Sequence, residues 1–291
     1  ERIMKCFYHK GDLDGKCSGA LVKITHPECE MFPIEYGEEF PYEVIQGDEI
    51  VYVVDFSIQP FDNMFWLNNN CKLIWIDHHI SAMEDYRINK GSFGHIKGYR
   101  DTRMAACELT YWYLFPQNMT KYGMSTVVYL LGRYDIWDHS DQRVLPFQMG
   151  MRQEDWDPSK SANIEKWEKL LEHDSDILFT TILDNGETIL EYQKQFNEQY
   201  VKEHSFETEI DGLKVIAANI RMVNSKLFDS VWDPSRHDAM LTFGWKPSTW
   251  IVSLYTPKEE IDVSQVAKGR GGGGHAGAAG FPCNELPFEL K

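Results

Sequence analysis

Lys72-Leu73-Ile74-Trp75-Ile76-Asp77-His78-His79 decides how the rest of the chain is read. Its first five residues form a short apolar run of strand length that stops abruptly at one acid and two imidazoles. Side chains alternate sides along a strand. Adjacent histidines at its end are therefore expected to point different ways, one to a metal and one to a substrate. Taken singly, such a triplet is a common accident of surface turns. Partners elsewhere decide its weight.

Working outward, residues 4–8 read as a strand ending at His9, and Gly11-Asp12-Leu13-Asp14-Gly15 as a tight loop before a helix over 17–24. Residues 49–54 form a β-branched run ending at Asp55, and 60–69 a helix with proline in its first turn. Strands alternating with helices predict an α/β fold with a parallel, helix-covered sheet. Three strands thus end in acids or imidazoles. In such sheets the carboxyl ends share one edge, where ligands bind.

Residues 104–115 and 125–134 read as helices, the second ending in Gly132-Arg133-Tyr134-Asp135-Ile136-Trp137-Asp138-His139. Residues 161–172 and 175–204 are helical. Beyond them the pattern predicts a hairpin of 206–210 and 213–217 about Asp211-Gly212, strands at 239–245 and 250–255, and a helix at 263–268. A run from Gly269 to Gly280 follows, too rich in glycine for an ordinary connection. The expected division is an N-terminal domain over 1–190, a helical linker over 191–205 and a smaller C-terminal α/β domain over 206–291. No repeat is visible.

The 291 residues, 43% hydrophobic and 13% aromatic, suffice for two real cores. No window resembles a membrane span. Glu1-Arg2-Ile3-Met4 leads into a strand without a signal-peptide pattern, and an opening at glutamate points to a trimmed start. Six scattered cysteines without a C-x-x-C pair predict reduced thiols in a cytoplasmic protein. A net charge of −16 argues against coating long duplex nucleic acid, though not against a small anionic substrate held at a local cationic point.

Carboxylates converging at strand ends can bridge two divalent cations. Oxygen ligands mixed with imidazoles suit manganese and also admit magnesium, cobalt or zinc. Such a pair clamps a phosphoryl oxygen and activates water, and a histidine beside a ligand histidine is placed to protonate the leaving oxygen.

His9, Asp12-x-Asp14-Gly15, Asp55, Asp77-His78-His79, Asp135 and Gly272-Gly273-Gly274-His275-x-x-Ala278-Ala279-Gly280 run in one order across nearly the whole chain. In that order they resemble the DHH phosphoesterases that carry a C-terminal DHH-associated domain. That branch includes oligoribonucleases and 3′-phosphoadenosine 5′-phosphate phosphatases, and exopolyphosphatases are relatives. The resemblance implies one cation on His9, Asp12 and Asp55 and another on Asp14, Asp55, His78 and Asp135. Asp77 would orient an imidazole, and His79 would meet the phosphate or protonate the leaving group. Gly272, Gly273 and Gly274 would form an anion-binding nest, with His275 gripping substrate. The fourth motif departs from the pattern by offering two acids. Asp135 follows its helix immediately and is preferred, with Asp138 as competitor.

Of the candidate phosphate contacts Arg133, Arg221, Arg236 and Arg270, the last adjoins the glycine run and is favoured. Trp137, Trp156 and Trp245 are expected to be core residues. The expected substrate is a short oligonucleotide or phosphorylated nucleotide, without a membrane partner, and a homodimer is compatible with the pattern. Alternatives are an exopolyphosphatase or pyrophosphatase, and a non-catalytic nucleotide-binding regulator.

Overall fold

β1 (Met4–His9), β2 (Glu30–Ile34), β3 (Ile50–Val54) and β4 (Lys72–Ile76) pair in parallel in the order β2-β1-β3-β4. The computed structural model describes residues 3–118, 123–172 and 177–290, and the chain falls into two units, Glu1–Ile189 and Leu190–Lys291. The strands are apolar on both sides because both faces of the sheet are covered. Phe7, Val51, Val53, Leu73 and Trp75 pack with Met64, Phe65 and Tyr86 from α2 (Asp62–Asn70) and α3 (Ile80–Phe93). Cys6, Tyr8, Tyr52, Val54, Ile74 and Ile76 pack with Val22 of α1 (Leu13–Thr25) and Leu109 of α4 (Ala106–Leu114). Each such side chain contributes about 1.5–3 kcal/mol when fully buried.

The order of strands places the site. From β1 the chain goes to β2 on one side and then to β3 on the other, so the sheet has a switch point between β1 and β3. A crevice opens there at the carboxyl ends, beside His9 and Asp55. α1 must start very close to β1. A Cβ on Gly15 would lie 2.1 Å from the His9 carbonyl oxygen, so only glycine fits without moving the helix. Gly15→Ala is expected to cost about 1–3 kcal/mol, a drop of roughly 5 °C in a thermal melt. An unchanged melting temperature would show that α1 can slide off β1 freely.

A second layer of helices completes this unit: α5 (Thr126–Asp135), α6 (Val144–Met151) and α7 (Ser161–Glu172). Val127, Leu130 and Leu131 pack on Leu13, Cys17 and Leu21, while Phe147, Trp156 and Trp167 fill the outer core. The long α8 is described as Ile177–His204. Its expected start at Ser175 lies outside the described residues.

In the second unit β5 (Ser205–Ile210), β6 (Leu213–Ala218), β7 (Ala239–Lys246), β8 (Thr249–Tyr255), β9 (Gly273–His275) and β10 (Ala278–Cys283) form a mixed sheet ordered β5-β6-β7-β8-β10-β9. Asp211 (φ 50°) and Gly212 (φ 81°) both take positive φ, the turn chemistry that a two-residue hairpin demands. α9 (Val263–Lys268) packs Val263, Val266 and Ala267 on Leu241, Val252 and Leu254. Trp245 corrects the expectation of core packing: β7 runs past its core, and the ring is exposed beside Trp250. Among the described residues, no helix is long and apolar enough to cross a membrane.

Candidate metal centre

Asp55 is the hub. It follows β3 at φ 53°, a left-handed conformation that aspartate tolerates better than most residues. Its carboxylate is 1% exposed, and neither oxygen has a hydrogen-bond partner among the described residues. A buried carboxylate without partners is unfavourable by itself. What surrounds it are other potential ligands: His9 Nδ1 at 3.5 Å from Oδ2, His78 Nε2 at 3.4 Å and His79 Nδ1 at 3.9 Å from Oδ1.

Each neighbour is aimed by a local device. Asp12 caps α1, accepting the Gly15 N–H at 2.9 Å on Oδ1, and its Oδ2 lies 2.9 Å from His9 Nδ1. His9 Nε2 is 2.8 Å from Glu35 Oε1, a contact that fixes the ring and turns Nδ1 toward Asp12 and Asp55. Asp14 is buried at the start of α1. It accepts the N–H groups of Ala106 and Cys107, at 2.9 and 2.7 Å, from the N-terminus of α4. His78 Nε2 sits among three carboxylates, 3.1 Å from Asp135, 3.4 Å from Asp55 and 3.7 Å from Asp14.

Donor atoms of His9, Asp12 and Asp55 come together within 4.8 Å of one another, as do those of Asp14, His78 and Asp135, and those of Asp55, His78 and His79. Oxygen and imidazole donors around a shared, unpartnered carboxylate fit a pair of divalent cations. Of the two acids in the fourth motif, Asp135 enters the cluster. Asp138 turns away, 3.6 Å from the Arg133 guanidinium.

One expectation about the triplet is corrected, that its histidines point different ways. The strand stops at Ile76 and His79 already leads into α3, so alternation ends before the histidines. Their rings lie side by side, 4.7 Å apart, both toward Asp55. Asp77, fully buried, aims His79: its Oδ1 accepts the His78 and His79 amides at 2.8 and 3.2 Å and faces His79 Nδ1 at 2.7 Å. Trp75 Nε1 donates to Oδ2 at 3.3 Å.

The electrostatics ask for positive charge. Burial raises Asp55, with Asp12, Asp77 and Asp135 adding to it against His9; burial with Asp55 and Asp135 raises Asp14, and burial raises Asp135. Burial opposes a charge on His9, but Asp12, Asp55 and Glu35 outweigh it and push the imidazole up to about 11. The hydrogen bond to Asp77 pushes His79 up to about 9 despite burial.

These shifts agree in sign, while Asp12, where burial is outweighed by the His9 imidazole, is lowered and acts the other way. Carboxyl groups raised in the fold stabilise it at low pH and lose that contribution as pH climbs through their folded values. His9 does the same, fully stabilising below about 6.5 and losing its contribution as pH rises through about 11. Cations bind only the deprotonated acids. Saturating manganese is therefore expected to raise the melting temperature more at pH 8 than at pH 5, by roughly 5–10 °C at a hundredfold excess over Kd. A manganese shift equal at both pH values would contradict this linkage.

Sequence reasoning missed Glu35, which belongs to no motif and reaches His9 only through β2. It also missed Tyr36, whose ring lies 5.6 Å from His9 and 6.1 Å from His79 and so walls the crevice. Trp137 is corrected as well: two residues past Asp135, it is exposed instead of packed in the core, whereas Trp156 is buried as expected.

The remaining candidates lie in the second unit. Arg270 is held bidentately by Asp211 at 2.5 and 2.6 Å, and Arg236 by Glu207. Within the glycine run, Gly273–His275 is the edge strand β9, paired with β10. Glycine is required there because a Cβ on Gly272 would lie 2.2 Å from the Gly280 carbonyl, and Gly274 takes φ 138°.

No family model and no curated protein matches the sequence. Solved structures do. A pGpG-specific phosphodiesterase, PggH, from Vibrio cholerae aligns with 96% of this chain and 92% of its own, at 10% identity and a TM-score of 0.56. An exopolyphosphatase-related protein from Bacteroides fragilis aligns over 98% and 88%, at 12% identity and a TM-score of 0.53. With a parallel N-terminal sheet and a mixed C-terminal sheet matching along their length, the chain has the fold of the DHH phosphoesterases.

Proposed function

We propose that this protein is a divalent-cation-dependent phosphoesterase that hydrolyses short oligonucleotides or a terminal phosphate of a nucleotide. The observation that carries the reading is Asp55, buried, unpartnered and ringed by His9, Asp12, Asp14, His78 and Asp135. His9, Asp12 and Asp55 would hold one cation, and Asp14, Asp55, His78 and Asp135 the other. When bound, such cations neutralise phosphoryl oxygens and provide a nucleophilic water near neutral pH. The side chains do the rest. Asp77 keeps a proton on His79 Nδ1 and the ring fixed, so Nε2 presents a second proton to the leaving oxygen as the P–O bond breaks. Glu35 holds His9, and the α4 amides hold Asp14. The fold is shared with an enzyme named for the dinucleotide pGpG and, about equally, with an exopolyphosphatase-related protein, so it is compatible with a nucleotide substrate without separating one from polyphosphate.

The test is a manganese-supplemented assay of a dinucleotide, 3′-phosphoadenosine 5′-phosphate, a cyclic dinucleotide, pyrophosphate and polyphosphate. Wild type should hydrolyse a nucleotide phosphoester, and the Asp77→Ala/His78→Ala protein should be slower by a factor on the order of 10³. Equal rates would sink the site, and turnover of polyphosphate or pyrophosphate alone would sink the substrate class.

A further inference from the structure

The helix that delivers Asp135 ends on a residue its backbone does not favour. After α5 the Trp137 N–H donates to the Tyr134 carbonyl at 3.1 Å and the Asp138 N–H to the Arg133 carbonyl at 2.8 Å. Those two bonds make a Schellman turn, whose left-handed position is usually glycine. Here that position is Trp137, at φ 62°, where a side chain crowds the backbone.

Burial does not compensate. The indole is 67% exposed. It is nonetheless braced: the His139 ring lies 4.6 Å away and the Tyr134 ring 6.1 Å. Tyr134 is in turn steadied by Arg152, which sits 5.2 Å from its ring and donates to its hydroxyl at 3.2 Å. The result is a supported flat ring open to solvent. Its Cα lies within about 7 Å of that of Asp135, two residues back along the chain. Backbone strain retained beside a cluster of chemical groups is a pointer to function.

We propose that Trp137 is a stacking platform for the nucleobase of a substrate whose phosphate is held at the Asp55 cluster. The proposal rests on the phosphoesterase reading and names what that reading lacks. Carboxylates, imidazoles and cations address only the phosphate, so they cannot separate a nucleotide from polyphosphate. An indole face can, because every base has a π-face, and stacking strengthens binding by about tenfold or more. A sugar is the spacer between the two contacts. Base identity matters little to such a platform, and its presence matters greatly.

The experiment is calorimetric titration of the full chain, with manganese, against adenosine 5′-monophosphate and ribose 5-phosphate. Wild type should prefer the base-bearing ligand by about tenfold or more. Trp137→Gly should lose that preference, bind ribose 5-phosphate as wild type does, and melt no lower than wild type, since glycine suits the turn. Trp137→Phe should keep most of the preference. A wild type without preference, a glycine variant that retains it, or a glycine variant that loses it only with a lowered melting temperature would overturn the platform. The hydrolysis screen is independent of this. Preference for the base without any hydrolysis would sink the enzymatic reading and leave the platform standing, and hydrolysis without preference would do the reverse.

Discussion

Asp55→Asn is expected to slow hydrolysis by a factor on the order of 10³, roughly 4 kcal/mol of barrier, while leaving the fold intact or firmer. Both Asp55 oxygens are buried and unpartnered, with His9 on one side and His78 on the other. An amide keeps the shape but offers one oxygen and no charge, so neither cation is held well. The same change removes a buried charge that the fold itself disfavours, since burial and the neighbouring acids raise Asp55. In cation-free buffer at neutral pH the variant should gain about 1 kcal/mol. Asparagine is the right replacement because it accepts the left-handed φ of 53°; alanine would mix backbone strain into the result. Wild-type turnover by Asp55→Asn would remove Asp55 from the centre of the mechanism.

Asp77→Asn and His79→Gln should each lower kcat by about 10²–10⁴ with little change in KM, and they should differ in stability. Asp77 accepts two backbone amides and the His79 ring on one oxygen and the Trp75 indole on the other. An asparagine there must present an N–H to a donor, leaving a buried group unsatisfied at about 1–3 kcal/mol. His79 is half-buried at the crevice rim, so its replacement should melt close to wild type. If His79→Gln keeps the wild-type kcat, the leaving oxygen gets its proton elsewhere. If Asp77→Asn alone is slow, Asp77 acts by holding the β4–α3 corner, not through His79.

Much of this centre was legible because a parallel sheet brings its strand ends together. Three apolar runs stopping at His9, Asp55 and Asp77 sufficed to predict convergence, and the pattern supplied Asp12, Asp14 and Asp135. What escaped lies where the chain leaves regular structure. β2 carries Pro33, which no central strand tolerates, and is admissible only because β2 is the sheet edge; with β2 unseen, Glu35 could not be placed beside His9. The alternation rule failed for His78 and His79 because it holds only while the strand continues. Gly272 and Gly274 looked like parts of a loop, since their reason is the close approach of β10, which composition does not reveal. Trp137 was assigned to the core on hydrophobicity alone, and only its φ and exposure tell otherwise.

The Asp14 bond to α4 spans 92 residues of chain, and the centre also draws on β1, β3, β4 and α5. Closing so many distant segments is slow to be rewarded. A chain in which these segments have not all met lacks the complete set, so the pair of cations would find its full site only in the finished unit. In kinetic terms they act as a latch on the finished unit: unfolding slows in their presence, while the rate of folding stays that of the bare chain.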